Sequence, residues 1–512
     1  MIVKVHTATL VGLEAEAVRV EVDIEKGIGS KLVGLAGDPV KESWERITTA
    51  LKNSGRRMTL RKVTVSLVRA DLPKRGSCFD LPIALGMLGA MEQVQTERFG
   101  DTMFFGELSL DGSVLGVRGI LSLVLAAFDV EGAEIRRVVV PAENAAEAAV
   151  VGDLEVIGVS SLLETIEWLN GERTIEPARC TLPPEEPAFS TKEDMADVKG
   201  LELPRRALEV AAAGGHNILM IGPPGVGKSM LAGVLPSILP PLTPEEALET
   251  TRLHAALGEF RGPRVMQKRP FRQPHHTSSE VSLIGGGQQA KPGEIVLAHN
   301  GVLFLDELPE FGKRTLEALR QPLEDREVHV ARANYRASYP ADVMVVGAMN
   351  PCPCGYCNDP HRSCSCTPQQ VRHYRQQLSG PLMDRIDLQI EMVPEPSSVL
   401  QGAATGETSA EVRERVVRAR EVQLRRFAGT GIRTNARMNA AQVTQFCRLD
   451  ASAEELLRRA SDELALTARG HNRILKVART IADLAGHDEI GLLDVAEAIG
   501  YRCLDRERPR YN

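Results

Sequence analysis

The sequence contains no apolar run of the ~18 residues that a membrane span requires. Its first segment, MIVKVHTATL, has neither a basic leader nor a small-residue cleavage site. We therefore expect a cytoplasmic protein with no membrane partner. Positive charge is not in excess, because 61 Lys and Arg residues stand against 68 Asp and Glu residues and the net charge is −7. Any binding to nucleic acid must come from local basic patches.

Cysteine is sparse, and its placement does not match a disulfide framework. Five of the nine cysteines lie within Cys352–Cys366, a crowding typical of metal binding in a reducing compartment. Four of them form two C-x-C pairs: Cys352, Cys354, Cys364 and Cys366. These four thiolates could hold one tetrahedral Zn²⁺, with Cys357 and His361 as spare ligands. Reduced free thiols or a redox-labile cluster are the alternatives.

The length and composition are those of an ordinary multidomain globular protein. A chain of 512 residues has room for about three domains, and its 43% hydrophobic and 25% charged residues are usual values for soluble proteins. Alternating strands and intervening helices predict the α/β class. The expected segments are an α/β domain at 1–171, a proline-rich linker at 172–192, a nucleotide-binding α/β core at 193–396 and a helical domain at 397–512.

The stretch Ile218–Ser229, ILMIGPPGVGKS, predicts a buried parallel strand that leads into a phosphate-binding loop and a helix N-terminus. Backbone N–H groups of such a loop face anionic oxygens, Lys228 reaches the β- and γ-phosphates, and Ser229 ligates Mg²⁺. The implied ligand is ATP or GTP; a glycine turn with a surface lysine is the alternative. Nucleotide contacts are expected from Gly222, Pro223, Pro224, Gly225, Val226, Gly227, Lys228, Ser229 and Met230.

A second buried strand, GVLFLDE, ends in two carboxylates, Asp306 and Glu307. Asp306 is expected to hold the Mg²⁺ and its water shell, and Glu307 to act as the general base that polarises the attacking water. Burying two adjacent acids without a cation is costly. A surface turn is the alternative.

Five stretches together resemble the YifB/ComM family of magnesium-chelatase-like AAA+ ATPases: GPPGVGKS, RPFRQPHHTSSEVSLIGGG, PGEIVLAHNGVLFLDELPEF, AMNPCPCGY and GPLMDRIDL. The resemblance covers essentially the whole chain. It implies an ATP-driven homo-oligomeric ring, expected to be a hexamer, which acts on DNA as a branch-migration helicase in recombination and natural transformation. A protein-remodelling or chelatase-like subunit that works on a protein partner is the alternative.

The same resemblance assigns roles to residues further along the chain. Asn350 lies where AAA+ ATPases carry their first sensor, although a strand-end asparagine can also cap a turn. Arg385 resembles an arginine finger, which acts on the ATP of the neighbouring subunit; an ion pair with a neighbouring aspartate is the alternative. Arg469 is the candidate second sensor, and Arg473 is the runner-up. The alternative for both is a solvent-exposed side chain with no role in the site.

Three segments of the core are expected to project from it: an insertion at about 260–295, a β-hairpin at 327–343 and the cysteine-rich insertion 351–367. In helicases of this branch the first two line the central pore. Basic residues interleaved with Phe271, Tyr335 and Tyr339 would suit phosphate contacts and base stacking. For His275 and His276, a purely structural role is the alternative to contact with nucleic acid.

Three stretches of the first domain are DGSVLGVRGILSLVLAA (Asp111–Ala127), VVVPAENAAEAA (Val138–Ala149) and VIGVSSLLETIEWL (Val156–Leu169). Together they resemble the proteolytic domain of Lon-type proteases, which implies the ribosomal protein S5 domain 2-like fold. That family uses a Ser/Lys dyad, but here the helix that begins at Ile120 carries Leu121 and Leu123 and no lysine in its first turns. The turn at the serine position reads GSCF and includes Ser77 and Cys78. A serine without a lysine to accept its proton is a poor nucleophile. We therefore expect a non-catalytic domain.

The last domain is predicted to be the helical lid of an AAA+ protein. Its first helix, Ala410–Phe427, is rich in arginine, which indicates a solvated or interface face rather than a DNA site. The pattern Ser452-x-x-Glu455 predicts a capping box that opens a later helix.

Overall fold

The computed structural model describes residues 2–11, 13–27, 29–34, 38–56, 61–69, 77–179, 194–257, 259, 265–286, 291–332, 335–357, 359–396, 399, 406–464 and 466–505. Most of the predicted linker lies outside these ranges. The described chain forms two compact units, one of Met1–Glu186 with Pro244–Met266, the other of Pro187–Thr243 with Gln267–Asn512. Both are mixed α/β structures with parallel strand pairs. No helix in the described ranges is long and apolar enough to cross a membrane.

The strands are β1 Val3–Val11, β2 Glu14–Lys26, β3 Gly29–Val33, β4 Arg61–Leu67, β5 Thr102–Phe104, β6 Glu107–Leu108, β7 Val114–Leu115, β8 Arg137–Pro141, β9 Glu155–Val159, β10 Ile218–Ile221, β11 Phe271–Arg272, β12 Gly285–Gly286, β13 Lys291–Pro292, β14 Val302–Leu305, β15 Glu327–Arg332, β16 Tyr335–Pro340, β17 Met344–Met349 and β18 Leu388–Glu391.

The helices are α1 Asp38–Asn53, α2 Asp80–Ala90, α3 Ile120–Leu125, α4 Ala145–Ala148, α5 Leu162–Leu169, α6 Glu202–Gly214, α7 Lys228–Ile238, α8 Pro244–Leu257, α9 Glu280–Leu283, α10 Glu294–Leu297, α11 Lys313–Ala318, α12 Arg320–Asp325, α13 Pro368–Arg375, α14 Gly380–Met383, α15 Ser409–Arg426, α16 Ala440–Phe446, α17 Ala451–Glu463, α18 Ala468–Ala485 and α19 Leu492–Gly500.

The first unit is built on a sheet of seven strands in the order β3-β4-β2-β1-β5-β8-β9. The sequence of β2 is suited to a sheet with one buried face. Val18, Val20 and Val22 are buried at alternate positions, so this face of the strand points to the core. Helix α2 is buried along almost its whole length and packs on β1 and β2. The segment Pro244–Met266, which the sequence places in the ATPase core, belongs to this unit, where α8 packs against α3.

The second unit contains a five-stranded parallel sheet in the order β11-β14-β17-β10-β18. Strands β10, β14 and β17 are buried at every position, as expected for strands covered on both faces. Because parallel strands end at the same edge of a sheet, the residues that follow these three strands meet there. These residues are the phosphate-binding loop, Asp306 with Glu307, and Asn350.

The predicted helical domain packs into the same unit, where α15 and α18 both contact α6. Most arginines of α15 hold it in place rather than face solvent. They donate to Ser237 O and Ala212 O or pair with Glu209, Glu407 and Asp483, and they are Arg413, Arg415, Arg420 and Arg426. The arginine-rich pattern of this helix therefore has a packing function.

The predicted capping box at Ser452 is wrong. Helix α17 begins at Ala451, and its N-cap is Asp450, whose carboxylate accepts a hydrogen bond from Ala453 N–H at 2.7 Å. Ser452 Oγ donates to the same carboxylate at 2.6 Å. An aspartate earlier in the chain thus takes the capping role, which its negative charge favours at a helix N-terminus.

Candidate nucleotide-binding site

The loop between β10 and α7 has the backbone of a phosphate-binding loop. Gly225 and Gly227 adopt φ of 80° and 96°, values that L-residues with side chains rarely adopt. A Cβ atom on Gly222 would lie 2.7 Å from Met392 O, so only glycine fits at this position without a steric clash. The glycines of the motif are therefore required by the geometry of the loop itself.

Lys228 is the first residue of α7, and its ammonium group lies inside the loop. It is 9% exposed, and its Nζ donates to Gly222 O at 2.6 Å, Pro223 O at 2.9 Å and Asn350 Oδ1 at 3.2 Å. Burial lowers the pKa of Lys228 to about 8, although the charges of Asp306 and Glu307 act to raise it. In this state the protein itself occupies the donors that would bind phosphate oxygens.

The two predicted Mg²⁺ ligands lie together. Ser229 Oγ donates to Asp306 Oδ2 at 2.9 Å. Two adjacent oxygen ligands of an octahedral Mg²⁺ at about 2.1 Å would lie about 3.0 Å apart, so the pair has the donor chemistry and the spacing that this ion needs. The residues present therefore fit Mg²⁺.

Glu307, the predicted general base, follows Asp306 in a left-handed conformation with φ of 51°. Its amide donates to Asp306 Oδ1 at 2.9 Å, while its side chain is 54% exposed. His276 Nδ1 lies 3.0 Å from Glu307 Oε2, and the ring of His276 lies against that of His275 with centroids 4.2 Å apart. The sequence did not predict this contact, which brings part of the expected insertion to the carboxylate of the predicted general base.

Arg385, Arg469 and Arg473 line a different feature, a cavity of about 210 Å³. We call it the arginine cavity. Its cationic lining residues are Arg326, Arg385, Arg437, Arg469, Arg473 and Lys476. None of the residues 222–230 lines it. Helices α12, α14 and α18, which are distant in sequence, thus bring the arginine-finger candidate and both second-sensor candidates together.

Within the arginine cavity the three candidates are held differently. Arg385 donates to Pro381 O at 2.6 Å and pairs with Glu324 of α12, rather than with the aspartates beside it. Arg473 lies 3.8 Å from Asp384 and 3.6 Å from Asp387. Arg469 is exposed and has no ion-pair partner within the described ranges. Arg469 is therefore the one available to an incoming ligand.

Asp387 organises the floor of the arginine cavity. It is contacted by His216, whose Nδ1 lies 3.2 Å from Asp387 Oδ2, and His216 Nε2 lies 2.8 Å from Thr480 Oγ1. Burial acts to raise the pKa of Asp387, but the His216 hydrogen bond and the charges of Arg473 and Lys476 lower it to about 2. This carboxylate is therefore ionised at neutral pH and balances part of the positive charge.

Comparisons with known proteins show the family to which the chain belongs. Family models match at residues 194–400 (Magnesium chelatase, subunit ChlI), 20–144 (Subunit ChlI of Mg-chelatase) and 406–502 (Magnesium chelatase, subunit ChlI C-terminal). The chain is 42% identical over 506 residues to competence protein ComM of Haemophilus influenzae, covering 98% of this chain and 97% of that one. The chain belongs to the YifB/ComM family. It is 40% identical over 504 residues to the uncharacterized protein YifB of Escherichia coli, with coverage of 98% and 97%. Membership makes it an AAA+ ATPase of the magnesium-chelatase-like type.

Several residues expected to contact nucleic acid in this family member are used inside the protein instead. Tyr339 is 5% exposed, so its predicted stacking role is wrong. Phe271 stacks on Phe304, with ring centroids 6.1 Å apart, and packs against the core. Arg272 pairs with Glu294 at 2.6 Å. The expected hairpin does form, as antiparallel β15 and β16, but the side chains around its turn, including Tyr335, lie outside the described residues.

The part of the expected turn that the structure describes, residues 77–79, does not form an activated nucleophile. Ser77 Oγ donates to Glu107, and burial, with the charge of Asp80, raises the pKa of the Cys78 thiol to about 12. Leu121 and Leu123, at the position of the Lon-type lysine, are fully buried. A neutral thiol and a serine paired with a carboxylate are both weak nucleophiles.

Proposed function

We propose that the chain is an ATP-hydrolysing ring motor that acts on DNA, as a branch-migration helicase in recombination and natural transformation. The observation that carries the proposal is the separation of two half-sites within one subunit. The residues around Lys228 have the groups needed to bind and hydrolyse a nucleoside triphosphate. The arginine cavity has the cations needed to stabilise the phosphates of a nucleoside triphosphate, but the phosphate-binding loop does not line it.

In the first half-site each side chain has one task. The phosphates of ATP replace Gly222 O and Pro223 O as acceptors for Lys228. Ser229 and Asp306 would hold Mg²⁺, which neutralises charge on the phosphate oxygens. Glu307 removes a proton from the attacking water, and Asn350 orients that water through its side-chain amide.

In the second half-site Arg469, which is exposed, and Arg385, once it leaves Glu324, act on the γ-phosphate of a neighbouring subunit. Such an arginine stabilises the charge that develops during phosphoryl transfer, and it increases kcat by about 10³- to 10⁵-fold. Because each subunit then needs the arginines of the next, the interface is head-to-tail, and a head-to-tail interface that closes forms a ring. We propose a hexameric ring on the basis of the family alone.

DNA as the substrate is supported by the similarity to ComM of Haemophilus influenzae, a competence protein. Within the chain, Arg332, Tyr335 and Arg336 flank the turn of the β15–β16 hairpin in the sequence, a pattern suited to phosphate contact and base stacking. The matches to the ChlI subunit favour one other function, a chelatase-like ATPase that remodels a protein partner. The first unit would then be a non-proteolytic, Lon-like docking domain.

The test is ATP hydrolysis with single-stranded, duplex and four-way-junction DNA, at low and at moderate salt. We expect DNA to stimulate hydrolysis and salt to weaken the stimulation steeply, since phosphate contacts release counterions. Glu307→Gln should abolish hydrolysis and keep ATP binding, whereas Glu310→Gln, an exposed acid in the same turn, should be silent. Hydrolysis that no DNA stimulates at low salt would refute the DNA motor, and a captured protein partner that stimulates it would support the chelatase-like alternative.

A further inference from the structure

The four cysteines of the two C-x-C pairs form a single cluster in the structure. Their sulfur atoms all lie within 4.8 Å of one another, and the residues are Cys352, Cys354, Cys364 and Cys366. Three of the Sγ–Sγ distances are 3.3, 3.7 and 3.5 Å. A disulfide would need about 2.05 Å, whereas four sulfurs about 2.3 Å from a tetrahedral Zn²⁺ lie about 3.8 Å apart. The spacing fits a metal site.

Backbone amides complete the surroundings of the sulfurs. Cys354 N–H donates to Cys366 Sγ at 3.4 Å, Cys357 N–H to Cys352 Sγ at 3.3 Å, and Cys366 N–H to Cys364 Sγ at 3.4 Å. Such donors stabilise the negative charge of thiolates, the form in which cysteine binds a metal. Cys357 contributes its amide, and its side chain is not part of the cluster.

The cysteine cluster touches the nucleotide site at two points. Gly355, between the two C-x-C pairs, has φ of 86°, and a Cβ atom there would lie 2.7 Å from Pro224 Cδ of the phosphate-binding loop. The chain that enters the cluster begins at Asn350, whose Oδ1 accepts a hydrogen bond from Lys228 Nζ at 3.2 Å. The segment between these contacts is short, because Cys352 follows Asn350 by two positions.

We propose that the cluster binds one Zn²⁺ and that this ion holds residues 351–366 against the phosphate-binding loop, so that zinc occupancy sets the affinity of the site for ATP. Without the ion, no bonds hold the four sulfurs together, so the positions of Gly355 and Asn350 are no longer fixed. The loop then loses a contact on Pro224 and an acceptor for Lys228. The proposal rests on the nucleotide site described above, but it needs neither DNA nor a ring.

The first experiment counts metal in the full-length protein by mass spectrometry and by dye release. We expect about one zinc per chain in the wild type and almost none in Cys364→Ser. Cys357→Ser is the matched control, since it removes a neighbouring thiol outside the cluster, and it should retain its zinc. A wild-type protein without zinc, or one that holds iron with a visible charge-transfer band, would overturn the assignment.

The second experiment measures ATP affinity without hydrolysis, by titration with a fluorescent ATP analogue. Cys364→Ser is expected to bind about tenfold or more weakly, the size usual for loss of groups that support a site. Gly355→Ala should keep its zinc yet also bind ATP more weakly, because the added methyl displaces Pro224. Its thermal unfolding temperature should fall only slightly, by the strain of an alanine at φ of 86°. If a zinc-free variant, or Gly355→Ala, binds ATP as the wild type does, the coupling is refuted. Failure of DNA to stimulate hydrolysis would leave these outcomes unchanged and would refute only the proposed motor.

Discussion

Lys228 should make the affinity for ATP depend on pH in the alkaline range. The ammonium group is buried, and burial holds its pKa at about 8 in the nucleotide-free protein. Bound phosphates favour the charged form, so the pKa of Lys228 must rise when ATP binds. Affinity should therefore level off well below pH 8 and fall above it, by up to tenfold per pH unit, until the pKa of the complex is reached.

The magnitude follows from the fraction of free protein that is protonated. With the pKa of Lys228 at about 8, that fraction is about 0.76 at pH 7.5 and about 0.03 at pH 9.5. ATP should thus bind about 25-fold more weakly at the higher pH. At pH 8.5 the protein should take up about 0.8 proton on binding, since only about a quarter of the free lysine is charged.

Calorimetric titration of the wild type with a non-hydrolysable ATP analogue, in two buffers of different ionisation enthalpy, measures both quantities without hydrolysis and leaves the charge of Glu307 in place. Asp306→Asn, studied without Mg²⁺, should move the midpoint to lower pH, because the charge of Asp306 acts to raise the pKa of Lys228. Asp462→Asn, which changes an acid with a 74% exposed side chain on α17, should leave the midpoint in place. An affinity that stays flat from pH 7.5 to 9.5, with no proton uptake, would refute the assignment of Lys228 as the phosphate-binding cation.

Two other substitutions test separate parts of the structure. His276→Ala should raise basal hydrolysis about fivefold and leave ATP affinity unchanged, because it frees a carboxylate oxygen of Glu307 from a contact worth ~1 kcal/mol. A fall in kcat in steady-state assays would show instead that His276 positions the base. Asp483→Ala should destabilise the second unit by ~3–5 kcal/mol in denaturant unfolding, because Asp483 pairs with Arg426 and, at 3.0 Å, with Arg479, which is 2% exposed. A cost below ~1 kcal/mol would show that these arginines find other partners.

The nucleotide site could be predicted from sequence because its parts are local. A buried strand, a glycine-rich turn and a helix start lie within Ile218–Ser229, and Asp306 and Asn350 each follow a buried strand of the same sheet. The contact between His276 and Glu307 was not predicted. His276 follows β11, which pairs in parallel with β14, so His276 and Glu307 lie near the same edge of the sheet. A strand of two residues is too short to give a periodic pattern from which β11 could have been predicted.

Other features depend on tertiary packing that no local pattern records. The expected role of Tyr339 rested on the basic residues that lie near it in the hairpin sequence, whereas its burial is decided by what packs on the hairpin. The arginine cavity needs α12, α14 and α18 to converge, and the partner of Arg385 is Glu324, 61 positions away. Sequence also could not show that α8 joins the first unit, because the chain leaves and re-enters the second unit without a change in composition.

The central claim is that an active site forms between two subunits. It is tested most directly by mixing two variants, Lys228→Ala, which keeps its arginine cavity, and Arg385→Ala, which keeps its phosphate-binding loop. Each alone should hydrolyse ATP about 10³-fold more slowly than the wild type or worse. In a random equal mixture about one interface in four joins an intact loop to an intact arginine, so about a quarter of wild-type activity should return. Arg385→Ala that is active alone, or mixed assemblies that recover no activity, would contradict the account.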